Sequence, residues 1–205
     1  MTPKKIVLTA QCFLVLAIII TAYFQFFNTD SVPSSPTNLM LGEHAPDFTL
    51  HSDPSSISLS SFRHKQAVAI YFGYTSCPDV CPTGMSQLAN AVKQLTTSEQ
   101  AQIQGLMITL DPERDSTEVV NTYAQFFFSD FKGLSDNSTV INNVANQYHV
   151  IYQRKPSDGS ALQYTLDHSS NFYLIDKQGI LRHVMPHTVP ADVLVKALRS
   201  LLNDN

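Results

Sequence analysis

Three cysteines, seven glycines and a small charged fraction are the main scarcities of this 205-residue chain. Three cysteines are too few to staple a disulfide-dense miniprotein, and an odd number leaves at least one unpaired. Seven glycines, with 43% apolar residues, exclude a collagen-like or disordered chain. Charged residues make up 15%, against roughly 25% in ordinary soluble domains. Basic residues number 13 and acidic residues 17, so no positive excess marks a nucleic-acid-binding surface.

Part of the low charge lies at the front. Ile6 to Phe27 is an uncharged run of 22 residues. As a helix it would rise about 33 Å, enough for a bilayer core. Lys4 and Lys5 precede it, and Tyr23, Phe24, Phe26 and Phe27 close it, where aromatic side chains favour the interface. The rival, a cleaved signal peptide, needs a shorter apolar region and an A-x-A-like end. The sequence predicts an uncleaved anchor with its N-terminus in the cytoplasm. Cys12 then sits inside the anchor as an apolar residue. The expected organisation is a cytoplasmic segment 1–5, a transmembrane anchor 6–27, a Pro/Ser-rich linker 28–39 and one domain over 40–205. The segment Met1–Lys5 is not an Arg-rich transit peptide, which favours the bacterial inner membrane with the domain in the periplasm.

Within the domain, Ala67–Phe72 and Ile103–Leu110 are continuous apolar runs, the pattern of strands buried on both faces. Between them, Met85, Leu88, Ala89, Val92 and Leu95 recur at helical spacing behind Cys81-Pro82. Ser116 is placed to cap a helix over Val119–Phe127, and Ser138–Tyr148 reads as another. Strands are expected at Val150–Gln153, Phe172–Ile175 and Ile180–Val184. The last two are joined across Asp176–Gly179, a hairpin signal. Pro190 opens a final helix. A β-α-β opening with a terminal ββα unit predicts an α/β, thioredoxin-like domain. A flavodoxin-like sheet would instead require a parallel strand near 172–184.

Cys77 and Cys81 lie where the first buried strand runs into its helix, in Tyr74-Thr75-Ser76-Cys77-Pro78-Asp79-Val80-Cys81-Pro82. A helix N-terminus stabilises negative charge, so both are expected to be accessible as thiolates. Cβ atoms at i and i+4 stand roughly 5–6 Å apart, whereas a disulfide needs about 3.8 Å. The C-x-x-x-C spacing therefore tolerates a shared metal at least as readily as a bond. Of seven histidines, His168 is the best third ligand. It lies in Leu166-Asp167-His168-Ser169-Ser170, read as a polar break before the Phe172–Ile175 strand, which a thioredoxin-like topology turns toward the cysteines. Asp167 would orient its ring or form a turn. His183 and His187 make a weaker pair, His149 precedes a strand, and His44, His51 and His64 read as surface residues. Two soft thiolates and an imidazole suit copper, with zinc as the chemical rival. Copper(I) is satisfied by three ligands; copper(II) would want a fourth, Asp79 or water.

The motifs Tyr71-Phe72-Gly73-Tyr74-Thr75 with Cys77-Pro78-Asp79-Val80-Cys81-Pro82, then Asp111-Pro112-Glu113-Arg114-Asp115-Ser116, then Asp167-His168-Ser169, occur in that order. In these the chain resembles the Sco/SenC family of membrane-anchored copper chaperones for cytochrome c oxidase assembly. The resemblance implies copper held by Cys77, Cys81 and His168, with Asp79 in support. It implies delivery to the binuclear copper site of cytochrome c oxidase subunit II; in an oxidising periplasm a thiol reductase or an upstream copper donor is a further expected partner. It makes the 111–115 loop structural or partner-facing. Such a chaperone has no turnover of its own. The segment Glu43–Leu50 looks as much like the start of a peroxiredoxin or thiol reductase. The alternative is therefore a membrane-tethered thiol–disulfide oxidoreductase or peroxide reductase that cycles Cys77 and Cys81.

Overall fold

The computed structural model describes residues 39–156 and 164–203. The anchor expected over 6–27 lies outside the described residues. Among the described residues no helix is long and apolar enough to cross a membrane. A compact unit spans Asn38–Asn205.

Its centre is a five-stranded sheet. Strands β3 (Ala67–Gly73), β4 (Ile103–Thr109) and β5 (Lys132–Leu134) are parallel, and β8 (Asn171–Ile175) and β9 (Leu181–Pro186) complete it in the order β5-β4-β3-β8-β9. Every residue of β3 and β4 is buried, as the unbroken apolar runs require. β8 runs antiparallel to both β3 and β9, so the terminal unit is a hairpin and a flavodoxin-like sheet is excluded. The element order is that of a thioredoxin-like domain.

Strand alternation sorts the aromatic core into two faces. Tyr71 and its register partner Phe172 share one face, with ring centroids 5.5 Å apart. There Tyr71 meets helix α1 (Val80–Lys93), its hydroxyl donating to the Val80 carbonyl at 3.3 Å. Phe72 and Tyr173 occupy the other face, where both pack on Tyr148, at the end of helix α4 (Ser138–Gln147). Gly84 of α1 lies against the Tyr71 side chain, and a Cβ there would stand 2.9 Å from two ring carbons and the hydroxyl oxygen. That close approach seats the first turns of α1 on the sheet.

Helix α3 (Thr117–Phe127) packs on β4 and β5, and helix α5 (Ala191–Ser200) packs on α1. Ser116 caps α3 by accepting from the Val119 amide at 3.3 Å, and Asn137 caps α4 through the Val140 amide at 3.1 Å. Pro190 precedes α5, as expected. The sequence reading did not include the three-residue strand β5, the short helix α2 (Thr97–Gln100), or the hairpin of β1 (Thr49–His51) and β2 (Ser56–Ser58). These are too short to carry a period.

One difference affects function. The strand expected at Val150–Gln153 is displaced to β6 (Tyr152–Pro156), and the supposed polar break contains a further strand, β7 (Tyr164–His168). The two form an antiparallel ribbon outside the central sheet, pairing Tyr152 with His168 and Pro156 with Tyr164. In β7 only Leu166 is fully buried, so the strand lacks the apolar alternation that would reveal it.

Candidate metal centre

Cys77, Cys81 and His168 converge. Their ligand atoms all lie within 4.8 Å of one another, and among the described residues they form the one such His/Cys/Asp/Glu group. Cys77 lies on the loop from β3 and is half-buried; Cys81, in the first turn of α1, is fully buried. The Cys77 sulfur accepts a hydrogen bond from the Cys81 amide at 3.3 Å, so it occupies the anion position at the helix N-terminus. Gly73 makes room for the second thiol. A Cβ at that position would come within 2.9 Å of Cys81 Sγ.

His168 arrives on β7 with Nε2 3.3 Å from Cys81 Sγ. Its Nδ1 faces the Ser169 carbonyl at 3.2 Å and the Ser170 hydroxyl at 3.4 Å. To ligate a metal through Nε2 the ring would carry its proton on Nδ1, donating to that carbonyl, and so turn the Nε2 lone pair to the thiols. Tyr71 and Tyr74 meet the ring edge-on, at centroid distances of 6.5 and 6.0 Å. The Tyr74 hydroxyl also accepts from the Leu166 amide at 3.1 Å, two residues before the histidine.

The two thiols are not equivalent. A hydrogen bond from Cys81 pulls the Cys77 pKa down to about 3, with His168 and the Asp79 amide helping against a smaller burial effect. The Cys81 pKa is pushed up, first by donating to Cys77 and then by burial and the neighbouring negative charge. The expectation that both are accessible as thiolates therefore applies far more readily to Cys77 than to Cys81. The second negative charge would have to be created 0% exposed beside the first.

A metal bonded to sulfur at about 2.3 Å and to nitrogen at about 2.0 Å needs three in-plane donors roughly 3.7–4 Å apart. The observed spacings reach that by shifts of less than about 1 Å, so the donor set fits a soft three-coordinate ion. A structural zinc would normally require a fourth protein ligand, and none joins this group among the described residues.

The supporting acids behave differently from the sequence expectation. Asp79 is exposed at the N-cap of α1 and lines the pocket beside Cys77, but its nearest side-chain partner is the Thr83 hydroxyl at 3.5 Å. Asp167 does not orient the ring. It alternates to the opposite side of β7 from His168, is exposed, and faces Lys155 at 3.9 Å. His183 and His187 do not form a second site; they face the Ser200 hydroxyl and the Ser170 carbonyl, each at 3.3 Å. His44, His51, His64 and His149 are exposed.

Two residues that lie within the sequence motifs, but for which the sequence predicts no individual role, hold the site. One is Tyr74. The other is Asp115, fully buried, whose carboxylate accepts from the Thr75 amide at 2.9 Å, the Thr75 hydroxyl at 2.5 Å and the Thr109 hydroxyl at 2.7 Å. Thr75 opens the turn that carries Cys77. Their motifs mark them, but not their roles: that of Asp115 depends on burial and that of Tyr74 on a hydrogen bond to a strand 92 residues away.

Known proteins give the arrangement a context. A SCO2-like protein of Rickettsia prowazekii is 42% identical over 110 residues, which are 54% of this chain. The chain spans about half the length of that relative, 53%. The apo Sco1 protein of Thermus thermophilus superposes with a TM-score of 0.70 at 30% identity, over 83% of this chain and 99% of that one. The Arabidopsis thaliana ScoI structure, determined with copper bound, gives 0.69 at 28% identity over 77% and 99%. The SCO1/SenC sequence family matches residues 41–203. A match over that span, on a thioredoxin-like scaffold with two cysteines and a histidine gathered at one end, makes this chain a member of the SCO1/SenC family.

Proposed function

We propose that this protein is a copper metallochaperone. Copper is its cargo, held by Cys77 Sγ, Cys81 Sγ and His168 Nε2. The observation that carries the reading is the convergence of these three donors within 4.8 Å. Soft sulfur donors favour copper(I), and the imidazole supports copper(II) as well. The copper-bound plant relative has the same fold.

Delivery is to the binuclear copper site of cytochrome c oxidase subunit II, as the family resemblance implies. Half-buried Cys77 is the ligand an acceptor thiolate reaches first, and fully buried Cys81 the last to let go. The uncharged run Ile6–Phe27 anchors the protein in the bacterial inner membrane with the domain in the periplasm, where a thiol reductase keeps the cysteines reduced. Copper analysis of the purified protein tests the reading. Stoichiometric copper that is lost in Cys77→Ala and Cys81→Ala and weakened in His168→Ala is expected. Copper retained unchanged by all three variants overturns it.

The split between a Cys77 thiolate and a buried Cys81 thiol also favours a second reading, a dithiol reductant. Cys77 would attack a partner disulfide, Cys81 would displace the partner's thiol, and the chain would end as the Cys77–Cys81 disulfide with the partner reduced. Disulfide reduction that persists in His168→Ala without copper would mark that activity.

A further inference from the structure

The two halves of the site come from distant segments. The thiols sit between β3 and α1, whereas His168 sits on a ribbon outside the central sheet. Something must set the distance between them. The turn Asp111–Asp115 touches both.

At one end, Asp115 holds the cysteine loop through Thr75. At the other, the Asp111 carboxylate, 1% exposed, accepts from the Tyr164 hydroxyl at 2.7 Å and pairs with Arg114. Arg114 in turn donates to the Tyr164 carbonyl at 3.1 Å and lies 3.8 Å over its ring. Arg154 covers the same ring at 4.4 Å and reaches Glu113 at 2.7 Å. Tyr164 is therefore stacked by two guanidinium groups and hydrogen-bonded to a buried carboxylate. Tyr164, Leu166 and His168 alternate onto one face of β7, so what fixes Tyr164 fixes the strand that presents His168. The turn itself is closed by the Arg114 and Asp115 amides donating to the Asp111 carbonyl at 3.1 and 2.9 Å.

We propose that the Asp111–Asp115 turn is the positioning element of the metal centre, with Tyr164 as the latch that holds the His168 strand against the thiols. This rests on the copper-site reading. Tyr164 lies four residues from His168, about 13 Å along the strand, and acts through the strand, not on the metal.

The test uses the full-length protein with Tyr164→Leu, Tyr164→Phe, His168→Ala and the Tyr164→Leu/His168→Ala double variant. Copper affinity is measured by chelator competition. Histidine coordination is read as nitrogen coupling in the electron paramagnetic resonance of the copper(II) form. The copper-free proteins are compared by the His168 ring ¹⁵N resonances. Tyr164→Leu is expected to lose about 10–100-fold in copper affinity and to weaken the nitrogen coupling, while thiolate-to-copper absorption survives. Tyr164→Phe keeps the stacked ring and falls between. The double variant binds no more weakly than His168→Ala alone, because both act on one ligand. Already without copper, the His168 resonances move in Tyr164→Leu. Wild-type resonances and affinity in Tyr164→Leu, or losses that simply add in the double variant, overturn the proposal. Should Tyr164→Leu not fold, unmoved His168 resonances in Tyr164→Phe overturn it equally. Failure of the copper reading is distinct: His168→Ala would then leave affinity and spectrum unchanged.

Discussion

Alkylation of Cys77 separates a held thiolate from an ordinary thiol. A cysteine of ordinary pKa, near 9, is about 1% thiolate at pH 7, and its alkylation rate rises about tenfold per pH unit. Cys77, with its pKa lowered to about 3, is already fully ionised at pH 5. Its thiolate fraction at pH 7 is thus about 100-fold larger than normal. The gain is not a gain in speed. Nucleophilicity falls with pKa by a Brønsted factor of about 0.45, so a drop of about six units costs roughly 500-fold in intrinsic rate. The two effects leave Cys77 about fivefold slower than a free thiol at pH 7. The signature is a flat profile, within about threefold between pH 5 and 8, where an ordinary thiol would climb about 1,000-fold. Reduced, copper-free protein would be pulsed with iodoacetamide and the Cys77 peptide quantified by mass spectrometry. Cys81, fully buried, should stay unlabelled. The leading cause of the low pKa is the hydrogen bond from Cys81. Cys81→Ala should therefore restore much of the slope, and Cys81→Ser, which keeps a donor, should restore less. A Cys77 rate rising tenfold per pH unit in the unaltered protein would refute the assignment of the thiolate.

Copper loading at pH 7 should displace one proton from the cysteine pair, from Cys81, instead of two. The sign follows from the raised Cys81 pKa: its proton competes with the metal, so affinity weakens as pH falls, which titrations in differently protonating buffers can count. Gly73→Ala would put a methyl 2.9 Å from Cys81 Sγ and 3.0 Å from the Tyr71 ring. It should cost about 1–3 kcal/mol in chemical denaturation and weaken copper binding with it. Asp115→Ala strips the acceptor from the Thr75 amide, the Thr75 hydroxyl and the Thr109 hydroxyl, at a cost of roughly 3 kcal/mol. Asp167→Ala, at an exposed ion pair, should fall within about 0.5 kcal/mol, and an equal loss in both variants would contradict the contrast.

The elements read correctly from the sequence are those with a strong period or a strong stop. Ala67–Gly73 and Ile103–Thr109 are buried on both faces and so are apolar without interruption. The Asp176–Gly179 turn between β8 and β9 is equally local. Of the β6–β7 ribbon only the first strand is expected, starting two residues early, because the ribbon pairs outside the central sheet and buries little. A strand whose stability comes from stacked arginines on one tyrosine leaves no hydrophobic alternation to read.

The sequence by itself singled out the thiol pair, His168 among seven histidines as its partner, and hence the residue type at each position of the site. These follow from short spacings and from ligand chemistry, which are local. Tertiary structure decided the rest. Asp167 sits beside His168 in the chain, yet it faces away because neighbours on a strand point to opposite sides. Tyr74 and Asp115 lie 94 and 53 residues before His168, yet one touches its strand and the other carries its cysteine partners. The unequal thiol pKa values likewise depend on which sulfur the fold buries and which it leaves at the open end of a helix. Burial and long-range hydrogen bonds set these features, and neither is written in residue order.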